Sequence, residues 1–248
     1  MSTPPDFEYK EIIIMLGIIA AMQKEMENIV SRMDGAKCEK ISGIEFVSGK
    51  VGGCDVVCAV CGIGKVFAAM CAEAMIIKYA PELIINTGVG GTLTEKLTIG
   101  DVAVSSAVCQ HDMDTTALGD EPGLISGINK VYFDADAKAA DKIESIAAEM
   151  GIKTYRGTIA SGDRFVASTE EKERITSTFG AISCEMEGAA VGHVCFVNET
   201  PFVIIRAISD DADGGACENY GEFAAASATK SAALVCAFAE SEARHTVK

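Results

Sequence analysis

Short apolar runs alternate along the chain with stretches whose apolar positions recur at helical spacing, and polar residues gather where the runs stop. Residues 10–20 read as a first buried strand, and Met22-Gln23-Lys24-Glu25 after it as the opening of a helix. Residues 44–51 and 55–61 predict paired strands joined by a tight turn at Gly52, Gly53 and Cys54. A helix leaves the GIGK turn at 62–65 and runs to Tyr79. Further strands are predicted over 81–86, 100–109, 153–160, 181–185 and 201–210, with the β-branched content expected where both faces of a strand are covered. Helical patterns cover 134–150, 169–179, the small-residue segment after Glu187, and 223–243. Between these elements, 87–92 reads as the most glycine-dense turn and 119–130 as a polar loop suited to a mobile lid. The repetition of strand and helix predicts one α/β domain.

The segment 181–213 concentrates the candidate chemistry. Two apolar strands end there in carboxylates, at Cys184-Glu185-Met186-Glu187 and at Ser209-Asp210-Asp211. In open α/β sheets ligands bind beyond the carboxyl ends of strands, so Glu185, Glu187 and Asp210 are expected in one crevice. Asp211, the next residue of an extended segment, is expected to point away. Glu25, in the first turn of a helix, has the position of an ordinary solvated residue that favours the helix dipole. Phe165, beside a strand end, fits either a core or a ring stacked on a ligand.

Composition narrows the classes. A chain of 248 residues can bury a full core without staples, and 10–243 are expected to form the domain between a disordered leader (1–9) and a polar tail (244–248). With 36 acidic against 21 basic residues and a formal charge of −15, a nucleic-acid or anionic-membrane partner is excluded. The acidic leader and the shortness of the apolar run after it argue for a cytoplasmic protein. Ten cysteines scattered in apolar runs fit buried thiols in a reducing compartment. Cys58 and Cys61, three apart in a strand, should face opposite ways rather than form a metal or redox pair. His111, set among acids in HDMDTT, is one of only three histidines, too few for a metal centre. GIGK is followed by Val66 where a nucleoside-triphosphate loop needs Ser or Thr, and 87–92 lacks the spacing of a dinucleotide site. No cofactor and no metal are expected.

The motifs GIIAAMQKEM at 17–26, GIGK at 62–65, INTGVGG at 85–91, HDMDTTA at 111–117, SGDRF at 161–165, CEMEGAAVGHVC at 184–195 and VIIRAISDDAD at 203–213 span nearly the whole chain. In this order they resemble those of bacterial 5′-methylthioadenosine/S-adenosylhomocysteine nucleosidases, within the nucleoside phosphorylase superfamily. The resemblance implies a single nucleoside phosphorylase-like domain, with a central twisted mixed β-sheet flanked by helices. It also implies hydrolysis of the adenine N9–ribosyl bond of methylthioadenosine and S-adenosylhomocysteine, with 5′-deoxyadenosine as a further substrate.

On that resemblance Asp210, supported by Ser209, would protonate purine N7, and Glu25 would activate water, against the bland reading of its position. Glu187 would hold the ribose hydroxyls with Met186 packed beside it, and Glu185 and Arg206 would take supporting positions. Phe165 would stack on adenine, which backbone groups around Val166 would read. Met22, Ile63 and Tyr220 would form an apolar slot for the 5′-alkylthio tail, and Val89 would stand near the water, where many members carry Ser. The family's homodimers imply a second copy of the chain, with residues 111–128 near the partner's pocket. Three alternatives remain at this point. A phosphorylase would need arginines beside the glycine-rich turns, which carry none. A futalosine-type hydrolase would differ beyond the 5′ carbon. A non-catalytic nucleoside-binding protein would need no acids at all.

Overall fold

Each central strand is apolar on both sides because it separates two packed layers. The computed structural model describes residues 15–243. The expected leader at 1–9, the strand start at 10–14 and the tail at 244–248 lie outside the described residues. In chain order the elements are β1 (Met15–Ala20), α1 (Gln23–Val30), β2 (Asp34–Ile41), β3 (Ile44–Val51), β4 (Cys54–Val60), α2 (Lys65–Tyr79), β5 (Leu83–Thr92) and β6 (Val102–Gln110). They continue with β7 (Phe133–Asp134), α3 (Ala137–Glu149), β8 (Thr154–Ser161), α4 (Thr169–Phe179), β9 (Ala181–Glu185), α5 (Gly188–Val197), β10 (Phe202–Asp210) and α6 (Ala216–Ala243).

The ten strands among the described residues join one mixed sheet, ordered β10-β6-β8-β9-β5-β1-β4-β3-β2, with β7 beside β6. Because β10 also pairs with β5, the strands β10, β6, β8, β9 and β5 close on themselves. Pairing is parallel between β1 and both β4 and β5, and between β10 and β5. It is antiparallel between β10 and β6 and through the β2-β3-β4 meander. Neighbouring residues of a strand enter opposite layers: Ile18, Cys58, Ile85 and Ile205 pack with α1, α3 and α6, whereas Ile19, Ala59, Ile84 and Ile204 pack with α2 and α5. Cys58 and Cys61 fall in different layers, as their spacing requires.

Three expectations change. Residues 87–92 are not a turn, since β5 runs through the glycines to Thr92 and pairs with β10 as far as Gly91. The strand β2 was not foreseen, because it is an exposed sheet edge with charged residues and no apolar alternation. Helix α6 starts at Ala216 rather than at 223, with Asp213 Oδ1 accepting the Gly215 N–H at 2.9 Å just ahead of it. The loop 119–130 keeps one short pairing, Ile125 with Lys130, and buries Ile125. Among the described residues no helix is long and apolar enough to cross a membrane.

Candidate active site

The site forms where β1, β5, β9 and β10 end. After β1 the chain turns into α1, and the Glu25 side chain folds back over that turn. Its Oε2 accepts the N–H groups of Ala21 (3.1 Å) and Met22 (2.8 Å), and its Oε1 accepts that of Val89 on β5 (3.2 Å). Glu25 is therefore 3% exposed, which overturns the reading of a solvated first-turn residue. Burial pushes its pKa above the ordinary carboxylate value, against the opposing pull of Arg206 and of the three N–H groups.

Two of the three glycines of β5 leave room for carboxylates that come this close. A Cβ on Gly88 would lie 2.8 Å from Glu25 Oε1, and one on Gly91 2.6 Å from Asp210 Oδ1. The sequence thus gives up side chains on this strand where two acids need the room.

A buried ion-pair network lies behind the acids. Arg206, on β10 and 1% exposed, donates from Nη1 to the carbonyls of Ile205 (2.9 Å) and Asn86 (3.2 Å). From Nη2 it donates to Asn86 Oδ1 (2.6 Å) and to Glu185, and it stands 3.7 Å from Glu187 Oε2. Glu185 is also bound by the Ser161 hydroxyl and by the N–H groups of Glu187 (3.0 Å) and Gly188 (2.8 Å). It is saturated, and its role here is to hold the turn into α5. Glu187, on that turn, takes the Gly64 N–H on Oε1 at 2.9 Å and leaves Oε2 with only the distant arginine. Burial and the neighbouring Glu185 push its pKa up to about 7, against Arg206 and the Gly64 N–H.

Asp210, at the end of β10, accepts the Ser209 hydroxyl (2.9 Å) and the Ala212 N–H (3.0 Å). Burial raises its pKa, and the charges of Asp211 and Asp213 add to this, against those two hydrogen bonds. Asp211 turns away, as expected of the next residue: its carboxylate meets Asn219 at 3.3 Å.

Glu25, Glu187 and Asp210 open into one cavity of about 310 Å³, within the usual size of a small-molecule site. Glu185, Met186, Ser209, Val89 and Val166 line it too, and Met22, Ile63, Phe165 and Tyr220 form apolar wall. Tyr220 meets the Phe165 ring edge-on at 5.6 Å and donates its hydroxyl to Met22 Sδ at 3.4 Å. Of the residues expected in the site, only Arg206 lies behind the lining. Sequence reasoning missed Asn86 and Ser161, which hold Arg206 and Glu185; the available signal was a polar residue ending an apolar strand. It also missed Arg164, which lines the cavity but is 69% exposed at its side chain and paired with Glu171 at 3.1 Å. His111 is buried beside Arg174 (3.3 Å), while Asp112 pairs with Lys65 (2.6 Å) and accepts the Asp163 N–H (2.9 Å), so the HDMDTT run works as a latch between loops.

Buried carboxylates of raised pKa around one cavity are equipped for proton transfer. The family model of the phosphorylase superfamily matches residues 15–240. Over 224 residues the chain is 38% identical to the 5′-methylthioadenosine/S-adenosylhomocysteine nucleosidase of Shewanella halifaxensis, covering 90% of this chain and 97% of that one. The chain belongs to this nucleosidase family. The Neisseria meningitidis nucleosidase, solved in complex with methylthio-immucillin-A, has the same fold at a TM-score of 0.88 and 35% identity, covering 92% of this chain and 99% of that one. A futalosine hydrolase of Helicobacter pylori is similar at a TM-score of 0.87 and 31% identity, covering 91% of this chain and 97% of that one. Membership of the nucleosidase family makes the chain an N-ribosyl hydrolase.

Proposed function

We propose that the protein hydrolyses the N9–ribosyl bond of 5′-methylthioadenosine and S-adenosylhomocysteine, and of 5′-deoxyadenosine, releasing adenine. The observation that carries this reading is the meeting of Glu25, Glu187 and Asp210 in one cavity whose lining arginine, Arg164, is paired with Glu171, while Arg206 behind the lining is bound to Glu185. A phosphate nucleophile would meet three carboxylates, whereas water would meet an acceptor.

Each acid is suited to a different task. Glu25 Oε2 is fully taken by two N–H groups, and Oε1 holds one longer bond, which leaves Oε1 to accept a proton from water. Glu187 Oε2 has room for ribose hydroxyls and places negative charge under the cationic sugar of the transition state. Asp210, whose hold on a proton burial strengthens, donates to purine N7 as the base departs, with Ser209 fixing the carboxyl. General acid catalysis of this kind contributes about 10²- to 10⁴-fold, or roughly 3 to 5 kcal/mol of barrier. Phe165 and Val166 take the adenine, and the Met22, Ile63 and Tyr220 wall suits an apolar thioether tail.

The protein acts as a homodimer in this reading. Val66, Phe67, Met70 and Ile77 of α2 and Phe196 and Val197 of α5 form an exposed apolar face that adjoins Ile63 of the cavity. Residues 111–128, with Leu118 83% exposed, would cover the partner's pocket across that face. Buried thiols such as Cys58, Cys71 and Cys195 support a reducing, cytoplasmic setting.

The test is adenine release from methylthioadenosine, S-adenosylhomocysteine, 5′-deoxyadenosine and aminodeoxyfutalosine by wild type and Asp210→Asn. The reading expects turnover of the first three, lost in the variant with little change in binding. Preference for aminodeoxyfutalosine would move the assignment to the futalosine hydrolases, and turnover of nothing would make the chain a nucleoside-binding protein.

A further inference from the structure

The turn that follows Asp210 is held from outside by a side chain that the reaction never touches. At Ala212 the backbone adopts φ +52, a left-handed conformation that disfavours alanine. This conformation accompanies the Ala212 N–H bond to Asp210 Oδ1 at 3.0 Å, which together with the Ser209 hydroxyl fixes the orientation of the carboxyl. Most fastenings of the turn lead onward into α6, through Asp213 to Gly215 and Asp211 to Asn219. One comes from elsewhere: Lys172 of α4 donates from Nζ to the Asp211 carbonyl at 2.6 Å.

Helix α4 is a firm base for that bond. Ser168 caps it, accepting the Glu171 N–H at 3.3 Å, and Ile175 and Phe179 bury its inner face. Lys172, Asp211 and Asp213 line a separate cleft that shares no residue with the nucleoside cavity. A lysine there cannot meet substrate, yet it grips the peptide group next to the acid.

We propose that Lys172 is a positioning residue for Asp210, holding the Asp211 carbonyl so that the Ala212 N–H stays aimed at the acid's carboxyl. This rests on the assignment of Asp210 as proton donor. The groups that bear on the Asp210 charge are Asp211 and Asp213 on its own turn, Cys184 from β9, Tyr220 from α6 and the Lys172 ammonium of α4. Removing that ammonium itself favours the protonated acid, so the fall in kcat below the limb is what reads positioning. Losing the Ala212 hydrogen bond, which favours the ionised form, makes Asp210 hold its proton more tightly.

The experiment measures kcat and KM for adenine release across pH, with melting temperature, for wild type, Lys172→Met, Lys172→Arg and Asp210→Asn. Lys172→Met is expected to lower kcat about tenfold with KM nearly unchanged, and to move the high-pH limb of kcat upward. Lys172→Arg, which keeps a donor in reach, is expected to restore both. An unmoved limb overturns the proposal, whether kcat holds or falls together with melting temperature, and so does a limb that moves equally in Lys172→Arg. If Lys172→Met does not fold, Lys172→Ala, which likewise removes the donor, gives the same reading. Full turnover in Asp210→Asn would instead remove the assignment of the acid, a failure distinct from that of Lys172.

Discussion

Replacing Glu187 by glutamine should make the protein more stable at alkaline pH while destroying its activity. The glutamine carbonyl can still accept the Gly64 N–H that Glu187 Oε1 takes at 2.9 Å, so the packing is preserved and only the charge goes. In the folded protein burial and Glu185 raise the Glu187 pKa from 4.5 to about 7. The fold therefore binds this proton more tightly than the unfolded chain does. Stability from the protonated group is complete below about pH 4.5 and is lost as pH rises through about 7. At about 1.4 kcal/mol per tenfold change, the gap amounts to about 3 kcal/mol. For a domain of this size that is roughly 6–12 °C in melting temperature. Calorimetry of both proteins near pH 5 and near pH 8 isolates the effect, because differences unrelated to titration cancel. The expected result is near equality at about pH 5 and a more stable variant at about pH 8. A stability difference that stays the same at both values, or one favouring wild type at the higher, would refute the reasoning.

Other perturbations probe the rest of the site. Arg206→Met leaves Glu185 buried without its cation, and breaking such a pair costs about 3–5 kcal/mol; a fall of about 6–20 °C in melting temperature is expected by calorimetry. Gly91→Ala puts a methyl 2.6 Å from Asp210 Oδ1 and 2.9 Å from the Ala212 Cβ, so steady-state kinetics should show kcat falling far more than stability. Since Glu25 must be ionised to take a proton and burial raises its pKa, kcat/KM should rise with pH through a midpoint above 4.5, and Glu25→Gln should abolish turnover across the whole profile.

Local pattern and tertiary context divide the legible from the illegible here. The strands ending in Glu185 and Asp210 could be read because β-branched runs buried on both faces carry their own signature, and the rule that ligands bind at strand ends then brought the acids together. Position alone made Glu25 a solvated helix residue; what buries it is the Val89 N–H, 64 positions along the chain. Glycine has no side chain to show a strand period, so β5 was read as a turn, although two of its glycines mark close approach by Glu25 and Asp210. The edge strand β2 has no buried face and so no pattern. Motif resemblance supplied what the local reading could not, the proposed roles of Glu25, Phe165 and Tyr220. It did not supply Asn86, Ser161 or Lys172, whose work is to hold other groups.

The central claim is that water attacks the sugar, and the identity of the sugar product tests it most directly. Phosphorus NMR of the products formed from methylthioadenosine in phosphate buffer, with adenine release followed in parallel with and without phosphate, reads the nucleophile. The expected result is free methylthioribose and a rate indifferent to phosphate. A sugar 1-phosphate, formed at a rate that follows phosphate concentration, would contradict it.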